Sequence, residues 1–99
     1  MVQVAWTRLA LEDLKGIYDY ISRDSVKFAK LETIKIKTRT HILKRNPLAG
    51  KPVPELDNVL FRELIEGNYR IIYKIIDLQT VHILTIHHSS RDLTRRTLE

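Results

Sequence analysis

The sequence contains no cysteine. Disulfides, thiolate nucleophiles and zinc–thiolate sites are thereby excluded. Proline occurs only as Pro47, Pro52 and Pro54, so the rest of the chain is free to form uninterrupted helices and strands. No acidic residue lies between Glu32 and Glu55, a window that holds Lys35, Lys37, Arg39, His41, Lys44, Arg45 and Lys51. No apolar stretch approaches the ~20 residues that cross a bilayer. Residues 1–5, followed at once by Trp6, Thr7 and Arg8, lack the form of a signal peptide. The expected location is the cytoplasm, with no membrane partner. Leu98-Glu99 has the form of a tag remnant and carries no weight.

What remains is a basic chain of 99 residues, 43% apolar, with a formal charge of +5. This composition fits one domain over residues 1–99 with a single core. The basic window, with Arg91, Arg95 and Arg96 near the end, admits two readings. It is either a solvated helix face or an electrostatic footprint for an acidic protein or a phosphate backbone.

Residues 2–6 are short and valine-containing, as in a strand. Thr7 can cap the helix that follows, in which Ala10, Leu14, Ile17, Tyr18 and Ile21 share one face, with Tyr20 at its rim, and Glu12, Asp13, Lys15 and Asp19 occupy the other. A second helix is expected over 26–45, stopped by Asn46-Pro47. It has two apolar stripes: Phe28, Leu31, Ile34 and Ile42, and, displaced around it, Ala29, Ile36 and Leu43. Such a helix is either wedged between its neighbour and a sheet, or keeps Ile36 and Leu43 for a partner. Residues 46–58 read as a restrained connecting loop.

Three runs, 59–65, 69–76 and 81–86, are rich in Val, Ile and Tyr and separated by short polar turns, which predicts an antiparallel meander. The expected fold is α+β, in the order β-α-α-β-β-β, with a helical hairpin on one face of a small antiparallel sheet. Alternation sends Tyr69, Ile71, Tyr73 and Ile75 to one face and Arg70, Ile72, Lys74 and Ile76 to the other. Both faces are therefore partly apolar, and the face away from the helices is open to a docking partner.

Several residues have competing explanations. Arg70 can pair with Glu63 or Glu66 across the hairpin, or contact a target. Trp6 suits a core or sheet-edge anchor better than a stacking platform. Adjacent His87 and His88 point to opposite faces and form no metal site. Ser89-Ser90 lack the strand–turn–helix elbow of a nucleophile and suit a turn.

Taken in order, Val4-Ala5-Trp6-Thr7 with Ala10 and Asp13-Leu14, Ile17-Tyr18-Asp19-Tyr20-Ile21, the run 46–55, Phe61-Arg62-Glu63-Leu64, Tyr69-Arg70-Ile71-Ile72-Tyr73, and Val81-His82-Ile83-Leu84 through Ser90-Arg91-Asp92 resemble the RelE/ParE family of type II toxin–antitoxin toxins. The resemblance covers the whole chain. It implies a small bacterial toxin neutralised by a cognate antitoxin, with no cofactor. Ile36, Lys37, Leu43, Lys44, Ile72 and Lys74 are the candidate antitoxin contacts.

Two activities divide that family. The ParE-like branch inhibits DNA gyrase, and its C-terminal pattern looks like His88-Ser89-Ser90-Arg91-Asp92. This is the preferred reading, with Arg70, His88, Arg91, Arg95 and Arg96 as candidate target contacts. The RelE-like alternative is a ribosome-dependent mRNA endoribonuclease. Its candidate catalytic set would be Glu55, Arg62, Arg70, His87 and His88, the arginines on phosphate and the others moving protons. No tyrosine follows Tyr73, so the C-terminal aromatic residue of many family nucleases is missing here. A third reading is a toxin-like fold that keeps antitoxin binding but has lost toxicity.

Overall fold

A computed structural model describes residues 1–89. Strand β1 (Gln3–Trp6) leads into α1 (Arg8–Ser22) and α2 (Val26–Arg39). A short β2 (Lys51–Pro52) and the long β3 (Phe61–Glu66), β4 (Tyr69–Asp77) and β5 (Thr80–His88) complete a five-stranded sheet in the order β1-β5-β4-β3-β2. The meander over β3, β4 and β5 is antiparallel, as expected. The sheet as a whole is mixed, because β1 runs parallel to β5, pairing Val4 with Val81 and Trp6 with Ile83. No described helix is long and apolar enough to cross a membrane.

Helix α1 begins at Thr7, whose hydroxyl accepts from the Ala10 N–H at 3.2 Å. The same hydroxyl donates to the carbonyls of Ile83 and Leu84. One threonine thus starts the helix and ties it to β5. Helix α2 is capped by Ser25, which accepts from the Phe28 N–H at 3.0 Å. It is α-helical only to Arg39; Thr40–Lys44 tightens into a 3₁₀ turn. The β3–β4 hairpin turns on Gly67-Asn68. Among the described residues Gly67 alone takes a positive φ, +57°, at the first central position, the arrangement of a type II′ turn.

The main core lies between the helices and one sheet face. Ala10, Leu14, Ile36 and Leu43 meet Leu64, Ile71, Tyr73, Val81, Ile83 and Ile86. Ile36 and Leu43 are fully buried in the protein's own core, which corrects their assignment as residues awaiting a partner. The stripe left exposed is the other one, Phe28, Leu31, Ile34 and Ile42, each about half accessible.

A second correction concerns the far face of the sheet. Val53, Phe61, Ile72 and Leu84 form a smaller cluster there, with Leu56 packed against it. The chain after β2 folds back across this face, so Ile72 is fully buried and makes no surface contact. The segment 46–58 is therefore more than a connector. On the helix side the Tyr73 hydroxyl accepts from the Gly50 N–H at 3.0 Å and donates to the Pro47 carbonyl at 2.6 Å.

Candidate functional site

The alternation of β4 turns Arg70 away from the helices, onto the face crossed by residues 53–60. Its neighbours follow from the strand register: His87 is directly opposite on β5, and Glu63 lies diagonally on β3, facing Ile72. The guanidinium donates from Nε to Glu63 Oε1 at 2.6 Å. Its two terminal nitrogens engage both oxygens of Glu55, at 2.6 and 2.7 Å. This is the paired, planar geometry in which arginine binds carboxylate most strongly. The Arg70 side chain is 8% exposed and that of Glu63 3%, with Glu55 more open at 25%. The hydrogen bonds to Glu55 hold the arginine proton more tightly than usual; burial acts the other way, and Glu63 adds to the retention.

Arg70 therefore pairs with Glu63, one of the two expected partners, while Glu66 is replaced by Glu55 from the loop. The consequence for target contact is a correction. An arginine this buried, with both edges occupied by carboxylate, presents no free charge to a partner. Two glutamates face one guanidinium, and the further cation near them, Lys51, stands 4.0 Å from Glu63. With Lys51 counted, two negative charges meet two positive ones, so the cluster offers a phosphate no net attraction.

The remaining candidates are dispersed. Arg62 faces the helix side with Tyr73 and is used for architecture: Nε donates to the Gly50 carbonyl at 2.9 Å and Nη1 to that of Val59 at 3.0 Å. His87 is buried beside Arg70, whereas His88 is exposed and meets the Tyr69 ring edge-on at 5.7 Å. Glu55, Arg70 and His87 thus share one face; Arg62 and His88 lie on the other. Lys74 sits 5.1 Å over the Phe61 ring. Lys37 and Lys44 are exposed on α2 and the 3₁₀ turn. Arg91, Arg95 and Arg96 lie outside the described residues, as do Ser90 and Asp92.

One polar anchor escaped the sequence reading, which put Asp13 on the solvated side of α1. Its carboxylate instead accepts from the Thr85 hydroxyl and, at 3.0 Å, from the Ile86 N–H. Those residues adjoin an irregularity in the β4–β5 pairing, where Ile72 faces Thr85 but Tyr73 faces Ile83. Asp13 thereby supplies an acceptor where the strand ladder is broken. The signal was its position, three residues after the buried Ala10 and beside the buried Leu14.

The family described as ParE toxin of type II toxin-antitoxin system, parDE, matches residues 4–93. Toxin RelE2 of Caulobacter vibrioides is 37% identical over 92 residues, spanning 92% of this chain and 99% of that protein. Among solved structures, a chain of the chromosomal ParDE system from P. aeruginosa superposes with a TM-score of 0.73 at 24% identity, covering 89% of this chain and 96% of that one; the likeness is one of fold. A chain of the RelBE2 toxin–antitoxin complex from Mycobacterium tuberculosis is 30% identical with a TM-score of 0.57, covering 88% and 96%. The fold these chains share is the one built here from two helices and a five-stranded, mostly antiparallel sheet. This chain belongs to the ParE toxin family of type II toxin–antitoxin systems.

Proposed function

We propose that the protein is a ParE-like toxin that inhibits DNA gyrase by binding, acts in the cytoplasm, and is neutralised by a cognate antitoxin. The observation that carries this reading is the state of the two sheet arginines. RNA cleavage at this site would need cations turned toward a phosphate. Arg70 is instead held by Glu55 and Glu63, and Arg62 by the carbonyls of Gly50 and Val59. The resemblance of His88-Ser89-Ser90-Arg91-Asp92 to the ParE pattern points the same way, with Arg91, Arg95 and Arg96 as target contacts.

An antitoxin partner is supported by the solved relative from Mycobacterium tuberculosis, which is a toxin–antitoxin complex. On this chain the exposed stripe Phe28, Leu31, Ile34 and Ile42 is the apolar surface suited to it. That stripe replaces Ile36, Leu43 and Ile72 as the proposed contact.

The endoribonuclease reading keeps two supports, the convergence of Glu55, Arg70 and His87 on one sheet face and the name Toxin RelE2 of the 37% identical relative. A plasmid supercoiling and cleavage assay with purified gyrase, run beside a ribosome-plus-mRNA reaction, separates the two. Lost supercoiling or accumulating linear DNA, reversed by antitoxin and with mRNA intact, is the expected result. Cut mRNA with unaffected gyrase would overturn the proposal.

A further inference from the structure

The cations of α2 and the 3₁₀ turn do not take part in the sheet-face cluster or the apolar stripe. Lys30 and Lys37 stand seven residues, two α-helical turns, apart; Lys44 follows on the tighter 3₁₀ turn, which rotates it out of strict line, and Lys27, His41 and Arg45 lie nearby. All of them are exposed, and none forms an ion pair among the described residues. From Lys30 to Lys44 the row extends about 24 Å, allowing the α-helical and 3₁₀ rises. At 100° per residue Lys30 and Lys37 lie about a third of a turn round from the centre of the Phe28–Leu31–Ile34 stripe. A helix laid on the apolar stripe would therefore leave Lys30 and Lys37 open at its flank.

We infer that this row is a sequence-independent binding surface for the backbone of duplex DNA. Its features are those of a phosphate tracker: exposed, unpaired cations succeeding one another along α2 and the 3₁₀ turn, with no carboxylate in the sequence from residue 33 to residue 54. An acidic protein is a poorer fit, because the row has no apolar centre of its own around which such an interface could close. A single strand is a poorer fit as well, since no aromatic side chain lies in the row for bases to stack on. The choice of DNA over duplex RNA rests on the gyrase reading, which brings the toxin to an enzyme already holding duplex DNA.

The test needs no gyrase. Fluorescence anisotropy with a short duplex of mixed sequence should report binding that is independent of sequence and loses about a hundredfold in affinity between 50 and 200 mM salt, the slope for roughly four released counterions. The triple variant K30E/K37E/K44E should abolish it while the circular dichroism spectrum is kept. R91Q/R95Q/R96Q should bind nearly as the parent does. The inference is overturned by absence of binding at 50 mM salt, by full binding of the triple variant, by loss confined to the tail variant, or by equal affinity for poly-glutamate. A chain that binds DNA but spares gyrase in the supercoiling assay would sink the functional reading and leave this one standing. Inhibition without DNA binding would do the reverse.

Discussion

Arg70 and Glu63, on adjacent strands, are joined by a 2.6 Å hydrogen bond from Nε to Oε1 with both side chains almost wholly withdrawn from water. A buried ion pair of this kind adds little over a well-packed apolar pair, but removing one partner strands the other charge.

Arg70→Ala should therefore destabilise the fold by about 3–5 kcal/mol, measured by denaturant unfolding. Arg70→Met combined with Glu63→Gln should lose markedly less than Arg70→Ala alone. If the single and the double variant unfold alike, the pair is not coupled as described.

Gly50→Ala places a methyl group against the Glu63 carbonyl oxygen and 2.8 Å from the Tyr73 hydroxyl. Backbone on one side and a fully buried ring on the other leave little room to give. The expected cost is about 1–3 kcal/mol, read as a lower urea midpoint at unchanged slope.

Tyr73 predicts an alkaline limit. Burial raises its pKa above the ordinary 10.0, partly offset by the hydrogen bond from Gly50. Above pH ~10 the unfolded chain releases a proton that the folded one retains. Stability from this group is thus complete below that pH and declines as pH rises through the folded value. Tyr73→Phe should cost about 1–3 kcal/mol at neutral pH, with the bonds to Pro47 and Gly50 gone, and flatten the decline. A decline as steep as the parent's would assign it elsewhere.

Asp13→Ala leaves the Thr85 hydroxyl and the Ile86 N–H without their carboxylate. Loss of about 1–3 kcal/mol is expected, with amide exchange quickened at Ile86. Unchanged protection there would mean the anchor is dispensable.

Ile34→Asp addresses the antitoxin surface. The residue is 59% exposed, so stability should change by under about 0.5 kcal/mol while antitoxin affinity falls at least tenfold. Undiminished affinity would move the antitoxin to another face.

Local patterns were readable where burial imposes a short period. The alternation of β4 divided Tyr69, Ile71, Tyr73 and Ile75 from Arg70 and Ile72, and that division holds; which set meets the helices came only with the structure. The Thr7 cap and the Gly67-Asn68 turn were equally local. The parallel pairing of β1 with β5 was not, because partners seventy-seven positions apart in register leave no neighbouring signal. On α2 both stripes are apolar, and only the position of α1 and the sheet decides that Ile36 is inside and Ile34 outside. The Glu55–Arg70 contact was hidden for the same reason: it depends on how a proline-bearing segment crosses the sheet.

The parallel pairing also governs how the protein comes off the ribosome. β1 is made first, yet the strand it lies against is the last of the described strands to be translated. Until residues 80–88 leave the exit tunnel, Thr7 has no carbonyls to bind and α1 no floor beneath it. A nascent chain shorter than this is an open set of helices and hairpin, exposed to proteases. The surfaces that need the closed sheet therefore form only once β5 is out, so under the proposed function an antitoxin would meet a finished domain, not a growing one.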